Sequence, residues 1–189
     1  MTAAAFTGPS PVAEPTLAVA AGRVLTLAGT VFGLSNLFQY GVQSGLLHLQ
    51  PAVLSLSWPV AIAAFFVVLA RLRRSGGDTA RRVAGWSRGA IALMIATALS
   101  LLAVSVLTRD FAWMYWMTPV GLGVYGCAWM TAAARGRRGW MVGPALGAFC
   151  AAGVAASLLG SPEQYLTYAV GLFAFVLIPG AWLASCRTA

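Results

Sequence analysis

The chain has 189 residues, of which 60% are apolar and 8% charged, with a mean hydropathy of +0.82. A water-soluble domain carries about 25% charged residues, so this chain lacks the charge to cover a water-facing surface. Its net charge of +8 comes from Arg with no Lys. In membrane proteins basic residues gather in cytoplasmic loops, so the charge points to topology and argues against nucleic acid as a partner.

The stretch 1–22 carries Pro9, Pro11 and Pro15 and has no early positive charge. It is expected to be a disordered cytoplasmic tail without the basic start of a secretory signal. From 23 to 189 the sequence predicts one all-α domain. A span needs about 20 apolar residues, and six such segments follow, at 24–47, 52–71, 86–107, 111–134, 140–160 and 164–185. Backbone groups in lipid must pair within the segment, so each is a helix. Alternating apolar and polar residues, as a barrel needs, are absent.

The loops alternate in character. Arg71, Arg73 and Arg74 follow the second span, with Arg81, Arg82 and Arg88 close behind. Arg135, Arg137 and Arg138 follow the fourth, Arg23 precedes the first and Arg187 follows the last. Only Arg109 lies in the other loops. This pattern predicts three antiparallel hairpins with both termini cytoplasmic, in a bacterial inner membrane. Trp86, Trp140 and Trp182 are expected at the inner interface, and Trp113, Tyr115, Trp116 and Tyr165 at the outer one. Ser161-Pro162-Glu163-Gln164 reads as a helix start with Gln164 closing a capping box, and Asp78 as the cap of the third helix.

Span five repeats small residues every fourth position, at Gly139, Gly143, Gly147, Ala151 and Ala155. Span one carries Gly29 and Gly33 at the same spacing. Small residues let helices approach closely in lipid, so span five is expected to be buried with span one against it. A homodimer face is the alternative. Spans two and four share a Pro-Val followed by an Arg cluster, a faint sign of a parallel internal repeat.

The stretch "SNLFQYGVQS" sets Asn36, Gln39 and Gln43 within about 60° of one helical face, with Tyr40 beside them. Amides facing lipid would go unpaired at several kcal/mol each. The stripe therefore either bonds neighbouring helices or lines a crevice open to the outside. Pro59 and Pro119 each remove an N–H and free the carbonyl four residues back, on Ser55 and Tyr115. Either a nearby Ser or Thr meets those carbonyls, or Ser57, Trp58, Trp116 and Thr118 join the stripe around an uncharged, aromatic-walled pocket. Such a pocket suits a small neutral or amphipathic ligand and lacks the buried charge of ion coupling.

Catalytic and metal chemistry find little support. The carboxylates are Glu14, Asp78, Asp110 and Glu163, all expected in loops or the tail, and His48 is the single His. Cys127, Cys150 and Cys186 form no Cys-x-x-Cys motif. No catalytic residue, metal ligand or cofactor is expected. The expected activity is non-enzymatic ligand binding or transport. The rival expectation is a membrane subunit or regulatory partner, acting through the polar and small-residue faces.

Overall fold

Thr16 opens the first helix by accepting from the Val19 amide through its hydroxyl, at 3.4 Å. Helix α1 then runs Leu17–Gln43 in the computed structural model, which describes residues 16–75 and 77–185. Its 27 residues make a rod of about 40 Å. The stretch from Leu17 to Gly22, expected within a disordered tail, is helical instead, because it is apolar and Ala-rich and buries Val19, Ala20 and Gly22. Residues 1–15, Cys186 and Arg187 lie outside the described residues, as do the side chains of Arg73, Asp78, Arg81, Arg82 and Trp86.

A 3-10 turn at Pro51–Val53 leads into α2 (Leu54–Ser75), and α3 follows over Gly77–Thr108. A second 3-10 segment, Phe111–Trp116, is capped by Asp110, whose Oδ1 accepts from the Ala112 amide at 2.9 Å. Then come α4 (Met117–Gly136), a short 3-10 turn at Gly139–Met141, and α5 (Val142–Ser157). The last rod is α6 (Glu163–Leu172), a π segment at Phe173–Leu177, and α7 (Ile178–Ser185). Most of the described residues are helical, with no strand among them. Five helices are long and apolar enough to cross a membrane: Leu17–Gln43, Leu54–Leu72, Arg88–Thr108, Gly139–Ser157 and Glu163–Ser185. The 20-residue α4 is not among them. Gly121, Gly123 and Gly126, together with Thr118, Pro119 and Thr131, dilute its apolar content.

The centre of the bundle is the pair formed by α1 and the last rod, which pack along their whole length. A Cβ on Gly22 would strike Gly180 O at 2.7 Å, and one on Gly29 would meet the Leu177 backbone at 2.8 Å. Gly33 lies under the Phe173 ring. Span one therefore packs on the last rod and not on span five. The spacing of a glycine row shows that something comes close, but it does not say which helix.

On one flank, α4 and α5 close a core of Leu122, Ala155, Tyr168, Leu172 and Val176. Rings lie over glycines there: Tyr168 on Gly121, Phe149 on Gly126 and Phe175 on Gly147. Ala151 faces Gly171. On the other flank, Phe65 and Leu69 of α2 pack on Ala28, with Ile91 of α3 beside them. The central position expected for span five falls instead to the last rod. Over the membrane-length windows, 39% of the last rod is buried, against 17% of the α5 segment.

Candidate functional site

The polar stripe of α1 faces into the bundle over its first two amides. Asn36 is 1% exposed and Gln39 4%. Asn36 Nδ2 donates to the Phe32 carbonyl of its own helix at 2.8 Å. Gln39 Nε2 donates to Ser57 Oγ on α2 at 3.1 Å, and that hydroxyl donates to the Leu54 carbonyl at 2.8 Å. The bond ties α1 to the first turns of α2, and Trp58 stacks on Phe32 just beside it, with ring centroids 5.9 Å apart. Tyr40 is half-buried and Gln43 exposed, and Gln43 interacts with the Tyr165 hydroxyl on α6.

Gln39, Ser57 and Trp58 are thus neighbours. Trp116 is 41% exposed at the end of the Phe111–Trp116 segment, which packs on α3, and Thr118 is buried in the first turn of α4. Pro119 is the third residue of α4. A helix leaves its first N–H groups unpaired in any case, so this Pro opens the helix and does not kink it.

The Tyr115 carbonyl is met by a residue that the sequence places elsewhere. Gln164, wholly buried, donates from Nε2 to the Tyr115 carbonyl and accepts at Oε1 from the Gly160 amide at 3.2 Å. Gly160 turns there at φ +83°, a conformation open to Gly at little cost. Gln164 is therefore a clamp between the turn before α6 and the segment before α4, and it does not close the capping box expected of it.

A second clamp sits deeper in the bundle. Pro179 removes the N–H that would have bonded Phe175 four residues back. The buried Trp129 of α4 donates its indole N–H to that carbonyl at 2.8 Å. A π segment also leaves the i−4 pattern of the helix, and Phe175 lies at its middle. Trp129, Trp140 and Trp182 form an edge-to-face series around this point, with centroids 5.8 and 4.7 Å apart. The sequence carries one signal of this clamp, a Pro inside an apolar span near its end.

Pro59 is exposed on α2, at its sixth residue, whereas Pro119 is buried at the third of α4. The two Pro-Val pairs therefore stand in different surroundings.

Helices, buried amides and carbonyl clamps of this kind define a multi-helix protein with membrane-length apolar rods. No protein-family model, curated protein or solved structure matches the chain.

Proposed function

We propose that the chain is a non-enzymatic, six-span protein of the bacterial inner membrane, built of three antiparallel hairpins with both termini cytoplasmic. Its role is that of a membrane subunit or regulatory partner of another membrane protein. Contact directions support this wiring. Along α1 the neighbours on the last rod descend from Ala184 at Gly22 to Phe173 at Gly33. From Gly126 to Trp129 on α4 they descend on the α5 side from Phe149 to Trp140. The last rod ascends alongside α4, from Tyr168 at Gly121 to Phe175 at Trp129. Six alternating spans require these directions, α4 included. In that arrangement Arg23, Arg71, Arg74, Arg135, Arg137 and Arg138 share one end, as cytoplasmic charge does.

The partner role rests on the outer face of the α5 segment. Gly139, Gly143, Leu146, Cys150, Gly153 and Ser157 are all exposed, and they fall on one stripe at helical spacing. A Cβ on Gly139, Gly143 or Gly153 would meet nothing within 4 Å. Gly22, Gly29, Gly33 and Gly147 are each covered within the chain, while these three lie open. Small-residue faces of this form let a foreign helix approach closely in lipid. The rival role, a neutral or amphipathic ligand in an outward crevice at the stripe, would require Asn36 and Gln39 to leave their present bonds.

The test uses Cys150, which lies on the stripe itself, with Cys127 and Cys186 replaced by Ser. A thiol-directed bifunctional reagent in native membranes is expected to yield an adduct with a second membrane protein or a second copy. Gly143→Leu with Gly153→Leu is expected to cut that adduct at least about tenfold without lowering the unfolding temperature, since the added side chains enter empty space. Absence of any adduct, or its survival in the double variant, would contradict the partner role.

A further inference from the structure

At the end of the bundle opposite Gln43 and Tyr165, a cavity of about 540 Å³ opens between α1, α2 and α7. Leu27, Val68, Leu72, Ala181 and Ala184 line it, and Arg23 stands at its edge. The groove has a simple origin. Both α2 and α7 pack on α1, yet α7 presents only the small side chains of Ala181, Ala184 and Ser185 to the gap, the last with its hydroxyl donated to the Trp182 carbonyl, so the space between the two is left unfilled. Its size falls within the range of about 300–1,000 Å³ usual for ligand clefts.

The walls are apolar and the one charge at the edge is positive. Thr26, also in the lining, donates its hydroxyl to the Gly22 carbonyl at 2.9 Å and so is already satisfied. Of the carboxylates whose side chains are described, Asp110 lies before Phe111–Trp116 and Glu163 at the start of α6, both at the far end; Asp78, the second residue of α3, belongs to the near end. Arg71 and Arg74 lie on the last turns of α2 at the near end. A lipid-facing apolar groove is filled by acyl chain. A guanidinium is suited to a phosphate, because it presents several N–H donors in a planar fork. Its apolar stem lets the head reach the headgroup layer while the chain below stays in the groove.

We infer that this groove is a binding site for one anionic phospholipid, with an acyl chain along Leu27, Val68 and Ala181 and the phosphate on Arg23. The site belongs to a different face from the α5 stripe, so it stands or falls independently of the partner role.

Native mass spectrometry of the full-length protein in detergent, with equimolar phosphatidylglycerol and phosphatidylethanolamine added, tests it. The wild type is expected to retain phosphatidylglycerol in preference. Arg23→Gln is expected to lower that preference about fivefold, the effect of one guanidinium at an anionic surface. Arg88→Gln, at an exposed position on α3, is expected to leave it unchanged. Ala181→Leu fills the groove at an exposed position and is expected to reduce retention of both lipids while Arg23 remains. An unchanged preference in Arg23→Gln would overturn the site. So would an equal fall in Arg88→Gln, which would mean diffuse attraction, or full lipid retention in Ala181→Leu.

Discussion

Gln164→Leu is expected to destabilise the protein by about 2 kcal/mol, the loss of two part-buried hydrogen bonds at about 1 kcal/mol each. Leu keeps much of the volume but offers nothing to the Tyr115 carbonyl or to the Gly160 amide. The Gly160 amide lies at an exposed turn, whereas Tyr115 is half-buried. Pro119 has removed the donor that a regular helix would supply to Tyr115, and Gln164 itself is wholly buried. Gln39→Leu provides the contrast. Its partner Ser57 keeps its own bond to the Leu54 carbonyl, so the loss should be near the roughly 0.6 kcal/mol average of interhelical bonds in membrane proteins. Reversible unfolding in mixed micelles measures both. Equal losses in the two variants would show that the clamp is no more than ordinary interhelical bonding.

Gly22→Ala is expected to cost about 2 kcal/mol, in the range of overpacking a close contact. The added methyl would meet Gly180 O at 2.7 Å and the Leu183 carbonyl carbon at 2.9 Å. Backbone atoms of a helix cannot rotate away as a side-chain tip can, so α1 and α7 must move apart. Gly143→Ala adds the same methyl where nothing lies within 4 Å. That variant should be neutral or slightly stabilising, since Ala outranks Gly in a helix by up to about 1 kcal/mol. The same unfolding assay compares the two. A Gly22→Ala protein as stable as wild type would mean that α1 and the last rod are not in backbone contact.

Much of the architecture was legible from composition alone. Apolar runs of span length announce the rods, and a near-absence of charge explains why they must find lipid or each other. The link from Gln39 to α2 was also within reach, because an amide inside an apolar run has to point at a partner. Which partner it meets was not legible. Asn36 turns back to its own helix at Phe32 and Gln39 finds Ser57, and nothing in the spacing of the stripe separates those outcomes.

The clamps were harder to read for a different reason. Gln164 and Trp129 bond backbone carbonyls 49 and 46 residues away. A carbonyl carries no side-chain signature, so the sequence marks only the prolines that free it. Pro119 was read in that way and Pro179 was passed over, although it frees the carbonyl at the middle of the π segment. The glycine rows misled similarly. Gly29 and Gly33 do mark a close approach, but a row at period four fits any helix that can reach it.

Helix α4 is the member on which the six-span wiring turns, being the long helix that is not among the five apolar enough to cross a membrane. Labelling single cysteines in intact cells with an impermeant thiol reagent, after replacement of Cys127, Cys150 and Cys186, places its two ends directly. Arg109→Cys, before the segment leading into α4, is expected to label from outside, whereas Arg137→Cys, just after α4, should label only once the membrane is opened. Labelling of both positions from the same side would mean that α4 does not cross, and the wiring proposed here would be wrong.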